Sequence, residues 1–398
     1  MAEWKECTIA DIGTVIGGAT PSTKKTENYD GGQIPWITPK DLSAFCGRYI
    51  SRGDRNITGV GLKSCSTQLL PTHSVLFSSR APIGYVAIAQ NEVCTNQGFK
   101  SVVPNENTDY LFLYYLLKYK KEAIEHMGNG TTFKEVSGNT MKGIHVKVPV
   151  SIEEQRKIAS VLDALDTKIE DNEKINKNLE QQAMALFKSW FIDFEPFDRQ
   201  VPKTWINGVL GDFIEIKRGG SPRPIQNFLS DSGFHWLKIS DATGITSPFI
   251  NEIKEYIIEA GLKKTVYLKS GSLVLSNSAT PGLPKILDID TCIHDGWLYF
   301  PSSKFSNEYL YLYFKHIRDN LIALGNGSVF TNLKTDILKN YPTYLPAEDV
   351  LKKFDGLVQP IFSMILSKTR EIKRLAEIRD TLLPKLMSGE LNISDLDL

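Results

Sequence analysis

Residues 158–190 read IASVLDALDTKIEDNEKINKNLEQQAMALFKSW, and this stretch decides the fold. Its residues recur in steps of three and four, which an α-helix places along one face. No glycine occurs between residues 151 and 207, which favours a long helix. At about 1.5 Å per residue the stretch predicts a helix of roughly 50 Å with asparagines at its centre. The first stripe comprises Ile158, Leu162, Leu165, Ile169, Asn172, Asn176, Leu179, Ala183, Leu186 and Trp190.

A second stripe lies 196 residues further along the chain and keeps the spacing of the first. One such stripe is equally typical of a helix that packs only on its own domain. Two matched stripes favour two helices that pack against each other. The second stripe comprises Phe354, Val358, Ile361, Ile365, Lys368, Ile372, Leu375, Arg379, Leu382 and Leu386.

Helices from two related copies are expected to run antiparallel, because a twofold axis pairs position i with j and j with i. Ile158 then lies near Leu386, and Trp190 lies near Phe354. The same register places Asn176 opposite Lys368 and Asn172 opposite Ile372. Pro360 and Pro384 fall inside the second stripe, so we expect a kink or a late start of that helix.

The segments before the two helices also repeat, at an offset that drifts from 201 to 197. The order of the matches is the same in both copies, which indicates a duplication rather than chance. Short alternating runs bounded by Gly and Pro predict strands, and residues 109–125 predict a helix, so each copy is a mixed α/β globule. The matched residues include Trp4, Asp11, Gly18, Pro21, Trp36, Asp41, Gly84, Gly98 and Gly128-Asn129-Gly130 with Phe133, which recur as Trp205, Asp212, Gly219, Pro222, Trp236, Asp241, Gly282, Gly296 and Gly325-Asn326-Gly327 with Phe330.

The predicted fold class is therefore α+β, with two duplicated mixed α/β domains separated by two long antiparallel coiled-coil helices in a pseudo-twofold arrangement. The predicted limits are 1–150 for the first domain, 151–194 for the first helix, 195–346 for the second domain, 347–390 for the second helix and 391–398 for a tail.

The net charge of the 398 residues is zero, which at first argues against a nucleic-acid partner. Divided along the duplication, residues 1–150 carry +3 and residues 201–346 carry +2. Residues 151–200 carry −4, and residues 347–398 carry −1. Both globules are therefore mildly basic, and both helices are acidic. The net charge of zero hides this uneven distribution, which suits DNA binding by the globules.

Basic residues near predicted loops are candidate contacts for phosphates and base edges. The alternative for each of them is an ordinary solvated surface charge. The candidates are Lys24, Lys25, Lys40, Arg48, Arg52, Arg55 and Arg80 in the first globule and Lys217, Arg218, Arg223, Lys238 and Lys263 in the second.

The chain shows no familiar catalytic or metal-binding pattern. The five cysteines, Cys7, Cys46, Cys65, Cys94 and Cys292, have no zinc-ligand spacing, so we expect no metal site and a reducing, cytoplasmic location. No Walker A sequence, His-Glu-x-x-His or Gly-x-Ser-x-Gly occurs. His294-Asp295 is expected to be a turn or core pair. The charged N-terminal residues predict no signal peptide, and no apolar run is long enough to predict a membrane-spanning helix.

Several strings, taken in order with the duplication and the paired helices, make the chain resemble the specificity (S) subunit of Type I restriction-modification enzymes. The resemblance covers essentially the whole chain. In the second globule the sequence departs from the pattern, since residues 276–282 lack the arginine of residues 78–84. The strings are IPWITPKDL at 34–42, SSRAPIG at 78–84, NQGFK at 96–100, EEQRKIA at 153–159 and LLPKLMSGE at 382–390.

The resemblance implies a non-catalytic subunit with two target recognition domains, which read the two halves of a bipartite, asymmetric DNA site. It implies that the helices determine the length of the unspecified DNA spacer between the two half-sites, and that they dock two modification subunits that methylate adenine. S-adenosylmethionine, ATP and Mg are then expected in partner subunits, including restriction subunits, and no cofactor is expected in this chain. Two other readings stay open: a coiled-coil adaptor without DNA specificity, and an enzyme such as a fused nuclease.

Overall fold

The computed structural model describes residues 3–43, 45, 47–80, 82–128, 134–325 and 332–393. It is an α+β structure in which two similar sets of strands and short helices each precede one long helix. The matched Gly-Asn-Gly segments at 128–130 and 325–327 lie largely outside the described residues, as do Phe133, Phe330 and Cys46.

The first set begins at Trp4 and ends with the first long helix. Its elements are β1 Trp4–Thr8, α1 Ile9–Ile12, β2 Gly13–Gly17, β3 Ile34–Ile37, α2 Pro39–Ser43, β4 Tyr49–Ile50, β5 Arg55–Ile57, α3 Gly59–Lys63, β6 Val75–Ser79, β7 Ile83–Ala89, β8 Cys94–Thr95, β9 Lys100–Pro104, α4 Tyr110–His126, α5 Gly138–Lys142, β10 His145–Pro149 and α6 Ile152–Phe191.

The second set begins at Ile206 and ends with the second long helix. Its elements are β11 Ile206–Val209, α7 Leu210–Phe213, β12 Lys217–Arg218, β13 Leu229–Ser230, β14 Phe234–Leu237, α8 Ile239–Thr243, β15 Phe249–Ile250, β16 Tyr256–Ile257, β17 Val266–Leu268, β18 Leu273–Ser276, β19 Pro284–Leu287, β20 Thr291–Ile293, β21 Trp297–Tyr299, α9 Asn307–Gly325, α10 Thr335–Lys339, β22 Pro342–Leu345 and α11 Glu348–Ser388.

The sheets confirm the duplication. One five-stranded sheet of the first set has the order β2-β9-β6-β7-β4, and its counterpart in the second set has the order β12-β21-β18-β19-β15. In both, only the last pair of strands is parallel. A further sheet of each set, three-stranded in the first and five-stranded in the second, contains a matching parallel pair, β3 with β8 and β14 with β20. Two-stranded pairings of β1 with β10 and of β11 with β22 complete the correspondence.

The chain forms two compact units, residues 1–170 with 374–398 and residues 171–373. Each unit contains one set of strands together with a section of both long helices. These units cut through α6 and α11, so they differ from the linear limits drawn from the sequence, which treated each helix as a segment of its own.

Within each unit the two helix sections run antiparallel, as predicted. In the first unit Ile158 and Leu386 belong to the same buried cluster, and Asp166 contacts Arg379 further along both helices. In the second unit the ring centroids of Trp190 and Phe354 are 5.8 Å apart. That contact confirms the expected pairing of Trp190 with Phe354, and the shared cluster agrees with the expected proximity of Ile158 to Leu386.

The predicted central register is wrong by one residue. The Nδ2 of Asn176 lies 3.2 Å from the Oγ1 of Thr369, whereas the Nζ of Lys368 pairs with Glu371 on its own helix at 2.7 Å. A straight helix has 3.6 residues per turn, so a strict heptad drifts off its buried face. The same drift leaves Leu186 and Ile361 half-buried, whereas their neighbours Phe187 and Phe362 are fully buried.

Of the expected kink or late start of the second helix, the late start is wrong. Helix α11 begins at Glu348 and runs through Pro360 and Pro384 to Ser388. Pro360 and Gly356, whose carbonyl lies one turn earlier, are both exposed. Water can therefore bind the carbonyl that loses its helical donor, which lowers the cost of the proline.

Candidate nucleic-acid interface and helix contacts

Nine of the twelve candidate cations are exposed, and two more, Arg80 and Lys238, are partly buried. Exposure is the minimum requirement for a contact with DNA phosphates. The exposed residues are Lys24, Lys25, Lys40, Arg52, Arg55, Lys217, Arg218, Arg223 and Lys263.

Arg48 is the exception, and its assignment as a DNA contact is wrong. Its side chain is 7% exposed and pairs with Asp163 and Glu170 of α6, with 2.9 Å between Nε and Oε1 of Glu170. Its Nη2 also donates to the Oγ1 of Thr167 at 2.9 Å. Burial by itself lowers the pKa of this guanidinium, but the hydrogen bond to Glu170 and the two carboxylates raise it above its ordinary value. Arg48 therefore joins the first globule to α6.

Asp41 holds the loop of the first globule that carries Arg52 and Arg55. Its Oδ2 accepts from the backbone N–H of Thr38 at 2.7 Å, and its Oδ1 accepts from the N–H of Asp54 at 2.8 Å. The guanidinium carbon of Arg55 lies 4.9 Å from the centroid of the Tyr29 ring, which restrains the arginine by a cation–π contact. Arg55 is thus an exposed cation on an ordered support.

Other candidate cations have acidic neighbours. Lys40 lies 3.6 Å from Asp54, with both side chains exposed, and Lys25 lies 3.8 Å from Glu27. Such exposed pairs contribute about 0–1 kcal/mol and can exchange partners readily. In the same way Arg80 pairs with Glu135, Lys217 with Glu215 and Lys238 with Glu255.

In the second globule two arginines converge on Asp295. The Nη2 of Arg223 lies 3.2 Å from its Oδ2, Ser221 donates to its Oδ1 at 2.8 Å, and Arg218 donates to its backbone carbonyl. Burial opposes ionisation of Asp295, but the hydrogen bond from Ser221 and the charges of Arg218 and Arg223 hold its pKa below the ordinary value.

These residues border a groove of about 750 Å³ in the second unit. Its walls come from residues 221–225, 236, 238–240, 278–279 and 294–295. His294 forms a turn, as expected, because its Nδ1 accepts from the N–H of Gly296 at 2.6 Å. The sequence did not indicate that this turn lines a groove beside Arg223 and Lys238. The tryptophan repeated at positions 36 and 236 was the one feature of the sequence that could have indicated the groove, because Trp236 lines it.

The polar contacts of the helices differ between the units. In the first unit the Oδ1 of Asp166 lies 2.7 Å from the Nη1 of Arg379, and the Tyr115 hydroxyl donates to its Oδ2 at 2.9 Å. In the second unit the helices are joined by the hydrogen bond between Asn176 and Thr369. Asp166 and Thr369 were not predicted as helix contacts, because neither residue falls on the heptad spacing of the two stripes.

The second globule is fastened to the helix sections of its unit by charged groups. Arg370 of α11 donates from Nε and Nη2 to the two carboxylate oxygens of Asp288, at 3.0 and 2.5 Å. Lys315 and the hydroxyl of Tyr311 on α9 both donate to Glu180 of α6. The Arg48 contacts do the same for the first globule, so each globule has a fixed position on helix sections of its own unit.

The described residues contain no cluster of three or more His, Cys, Asp or Glu side chains arranged to bind a metal ion. Among the same residues, no helix is both long and apolar enough to span a membrane.

The family described as "Type I restriction modification DNA specificity domain" matches residues 1–181 and again residues 202–371. The chain is 37% identical to the Type I restriction enzyme MjaIX specificity subunit of Methanocaldococcus jannaschii, over 99% of this chain and 95% of that protein. It is 26% identical to the HindI specificity subunit of Haemophilus influenzae, over 98% and 100% of the two chains.

Among solved structures, the S subunit of a Type I restriction-modification system from M. genitalium has the same fold. Its TM-score is 0.63 at 15% identity, with coverage of 97% of this chain and 96% of that one. The double family match, the duplicated sheets and the relative that is similar over nearly the full length agree. The chain belongs to the family of Type I restriction-modification specificity subunits.

Proposed function

We propose that the two globules read the two halves of a bipartite, asymmetric DNA site. The observation that carries the proposal is the repeated sheet framework with exposed cations on ordered loops, Arg55 in one copy and Arg218 with Arg223 in the other. Phosphate contacts from such cations supply affinity, and contacts to base edges supply sequence preference. Because the two copies differ in these loops, they read different half-sites.

The long helices set the spacing between the half-sites and dock the partner subunits. The fixed attachment of each globule to helix sections, through Arg48 in the first unit and Arg370 in the second, supports a spacer role. Leu357 and Met364 on α11 are 46% and 51% exposed, with the exposed Pro360 between them. This stripe is the surface that we assign to a modification subunit, since exposed apolar residues in a row mark protein contacts.

The chain itself is a non-catalytic subunit in this proposal. Two modification subunits bind S-adenosylmethionine and methylate adenine, and restriction subunits use ATP and Mg. The absence of a metal-binding cluster in the described part of the chain is compatible with this division. An adaptor without DNA specificity is the second candidate, but no contact in the described structure favours it.

The test is the methylome of a methylation-free host that expresses the full chain with its modification subunit. We expect one bipartite adenine-methylated motif, and co-purification of the two proteins. Replacement of Arg55 by Ala should lower occupancy or relax only the half-site of the first globule, because Arg55 lies on that globule alone. An exposed cation on the long helix, changed in Lys177→Ala, is the matched control and should leave the motif unchanged.

Two outcomes would contradict the proposal. Methylation without any sequence preference would favour the adaptor, and metal-dependent cleavage of DNA by the isolated chain would favour an enzyme. An unchanged motif at normal occupancy in Arg55→Ala would remove Arg55 from the contact surface.

A further inference from the structure

The groove of the second globule presents one hydrogen-bond donor whose orientation is determined by the backbone. The side chain of His294 lines this groove and is 20% exposed. Its ring centroid lies 6.1 Å from that of Trp236, which is buried beneath it. The imidazole is therefore held against a rigid floor while one edge remains accessible.

The turn at Gly296 decides which ring nitrogen carries the proton. The N–H of Gly296 can only donate, and it points at Nδ1 over 2.6 Å, so Nδ1 is the acceptor and Nε2 carries the hydrogen. Burial lowers the pKa of His294, although nearby Asp295 opposes this effect. A Cβ at position 296 would lie 2.1 Å from Cε1 of the ring, so only glycine permits this arrangement. The neutral imidazole offers one donor, Nε2–H.

The first globule contains the same turn with a different side chain. The N–H of Gly98 donates to the Oδ1 of Asn96 at 2.9 Å, as Gly296 does to His294. Gly18 and Gly219 come equally close to these turns, since a Cβ on either would lie 2.4 Å or less from a backbone carbonyl oxygen. The duplication has therefore kept the backbone framework and changed the side chain that it presents.

The charges beside His294 suit an anionic ligand. Asp295 is the acidic residue in the groove wall, and its carboxylate is occupied by Ser221 and Arg223. The Arg223 side chain is 79% exposed and lines the groove, and the exposed Arg218 donates to the backbone carbonyl of Asp295 beside it. A DNA duplex meets cations at the rim and a neutral donor inside.

We propose that His294 contacts a base edge of the second half-site and selects a base that presents an acceptor in the major groove. This inference rests on the proposed function and names a residue that determines its specificity. Guanine N7 and O6, adenine N7 and thymine O4 are such acceptors. Cytosine presents an amino donor at this edge, so a donor at Nε2 rejects it.

The test compares methylation of duplexes by the full complex of this chain with its modification subunit. Each position of the second half-site is changed in turn to all four base pairs. We expect the wild type to discriminate against one base pair at a single position, and His294→Ala to lose roughly 2- to 10-fold of that discrimination, the value of one hydrogen bond. His294→Asn introduces the residue that the first globule has in this turn, Asn96, and should also change the base preference at that position of the second half-site. Preference in the first half-site should be unchanged in both variants, which shows that the chain is folded.

His145→Ala is the matched control, because His145 is an exposed histidine on β10 of the first globule. It should leave every preference of the second half-site as in the wild type. If His294→Ala keeps the wild-type preference at all positions, or weakens methylation of all duplexes equally, His294 does not read a base and the inference is wrong. The proposed function then still stands, since its failure is measured on wild-type protein, by methylation without sequence preference or by metal-dependent cleavage by the isolated chain.

Discussion

Arg48 and Arg379 belong to a residue type that is usually exposed, yet both guanidinium groups lie inside the first unit, with side chains 7% and 19% exposed. Each is balanced by carboxylates, Asp163 and Glu170 for Arg48 and Asp166 for Arg379. A buried charge without its partner is costly, whereas an apolar pair of the same shape is tolerated. These contacts therefore determine which surfaces meet more than they add stability.

Replacement of Arg379 by Met should destabilise the chain, because Asp166 then stays buried with only the Tyr115 hydroxyl as a hydrogen-bond partner. We expect a loss of roughly 2–4 kcal/mol in the free energy of unfolding, measured by urea denaturation of the full chain. The double variant Asp166→Asn with Arg379→Met should recover much of that loss. Arg374→Met, on the exposed side of the same helix, is the control. Equal losses in the single and double variants would show that lost packing, and not the buried charge, is responsible.

At the scale of elements, the long helices are amphipathic rods with a polar layer in their buried face. Asn172 is fully buried in α6, and neither atom of its amide group has a hydrogen-bond partner among the described residues. Asn176, one turn later, uses only its Nδ2. Such groups lower stability, and a layer of this kind is best known for specifying register and orientation.

Replacement of Asn172 by Leu should stabilise the chain by roughly 1–3 kcal/mol, since it removes the desolvation cost of an unpaired amide at nearly constant volume. Thermal and urea unfolding of the full chain measure the change. Asn178→Leu is the control on the exposed face of the same helix and should stay within about 0.5 kcal/mol of the wild type. A destabilised Asn172→Leu would indicate that the amide is satisfied by internal water.

At the scale of the whole molecule, positive charge is carried by the globules and negative charge by the helices. The excess on each globule is small, +3 for residues 1–150 and +2 for residues 201–346. Several cations are also shared with acidic neighbours, as in the pairs of Lys40 with Asp54 and Lys217 with Glu215. The chain alone therefore has a modest field for attracting DNA, and partner subunits add to it in our proposal.

Salt dependence measures this distribution directly. For the complex with its modification subunit, we expect log Kobs for specific DNA to fall linearly with log salt concentration. Arg55→Ala should reduce the slope by about 1, since one phosphate contact is lost. Arg48→Met should leave the slope unchanged, because its guanidinium is already neutralised inside the first unit. A slope that changes in Arg48→Met but not in Arg55→Ala would reverse our assignment of the two arginines.

The duplication, the two long helices and their antiparallel direction could be predicted from the sequence, because repeats and periodicity can be read along the chain. The family resemblance rested on short sequence strings such as those at 34–42 and 382–390. The folded chain was needed to show that Arg48 is an internal link, that Thr369 and not Lys368 meets Asn176, and that His294 lines a groove. Each of those outcomes depends on which distant residue lies within about 3 Å of a polar atom. Burial and the choice of partner are properties of the packed chain. A one-residue drift of a helix face, or a carboxylate 122 positions away, therefore changes the role of a side chain, and the local sequence does not show it.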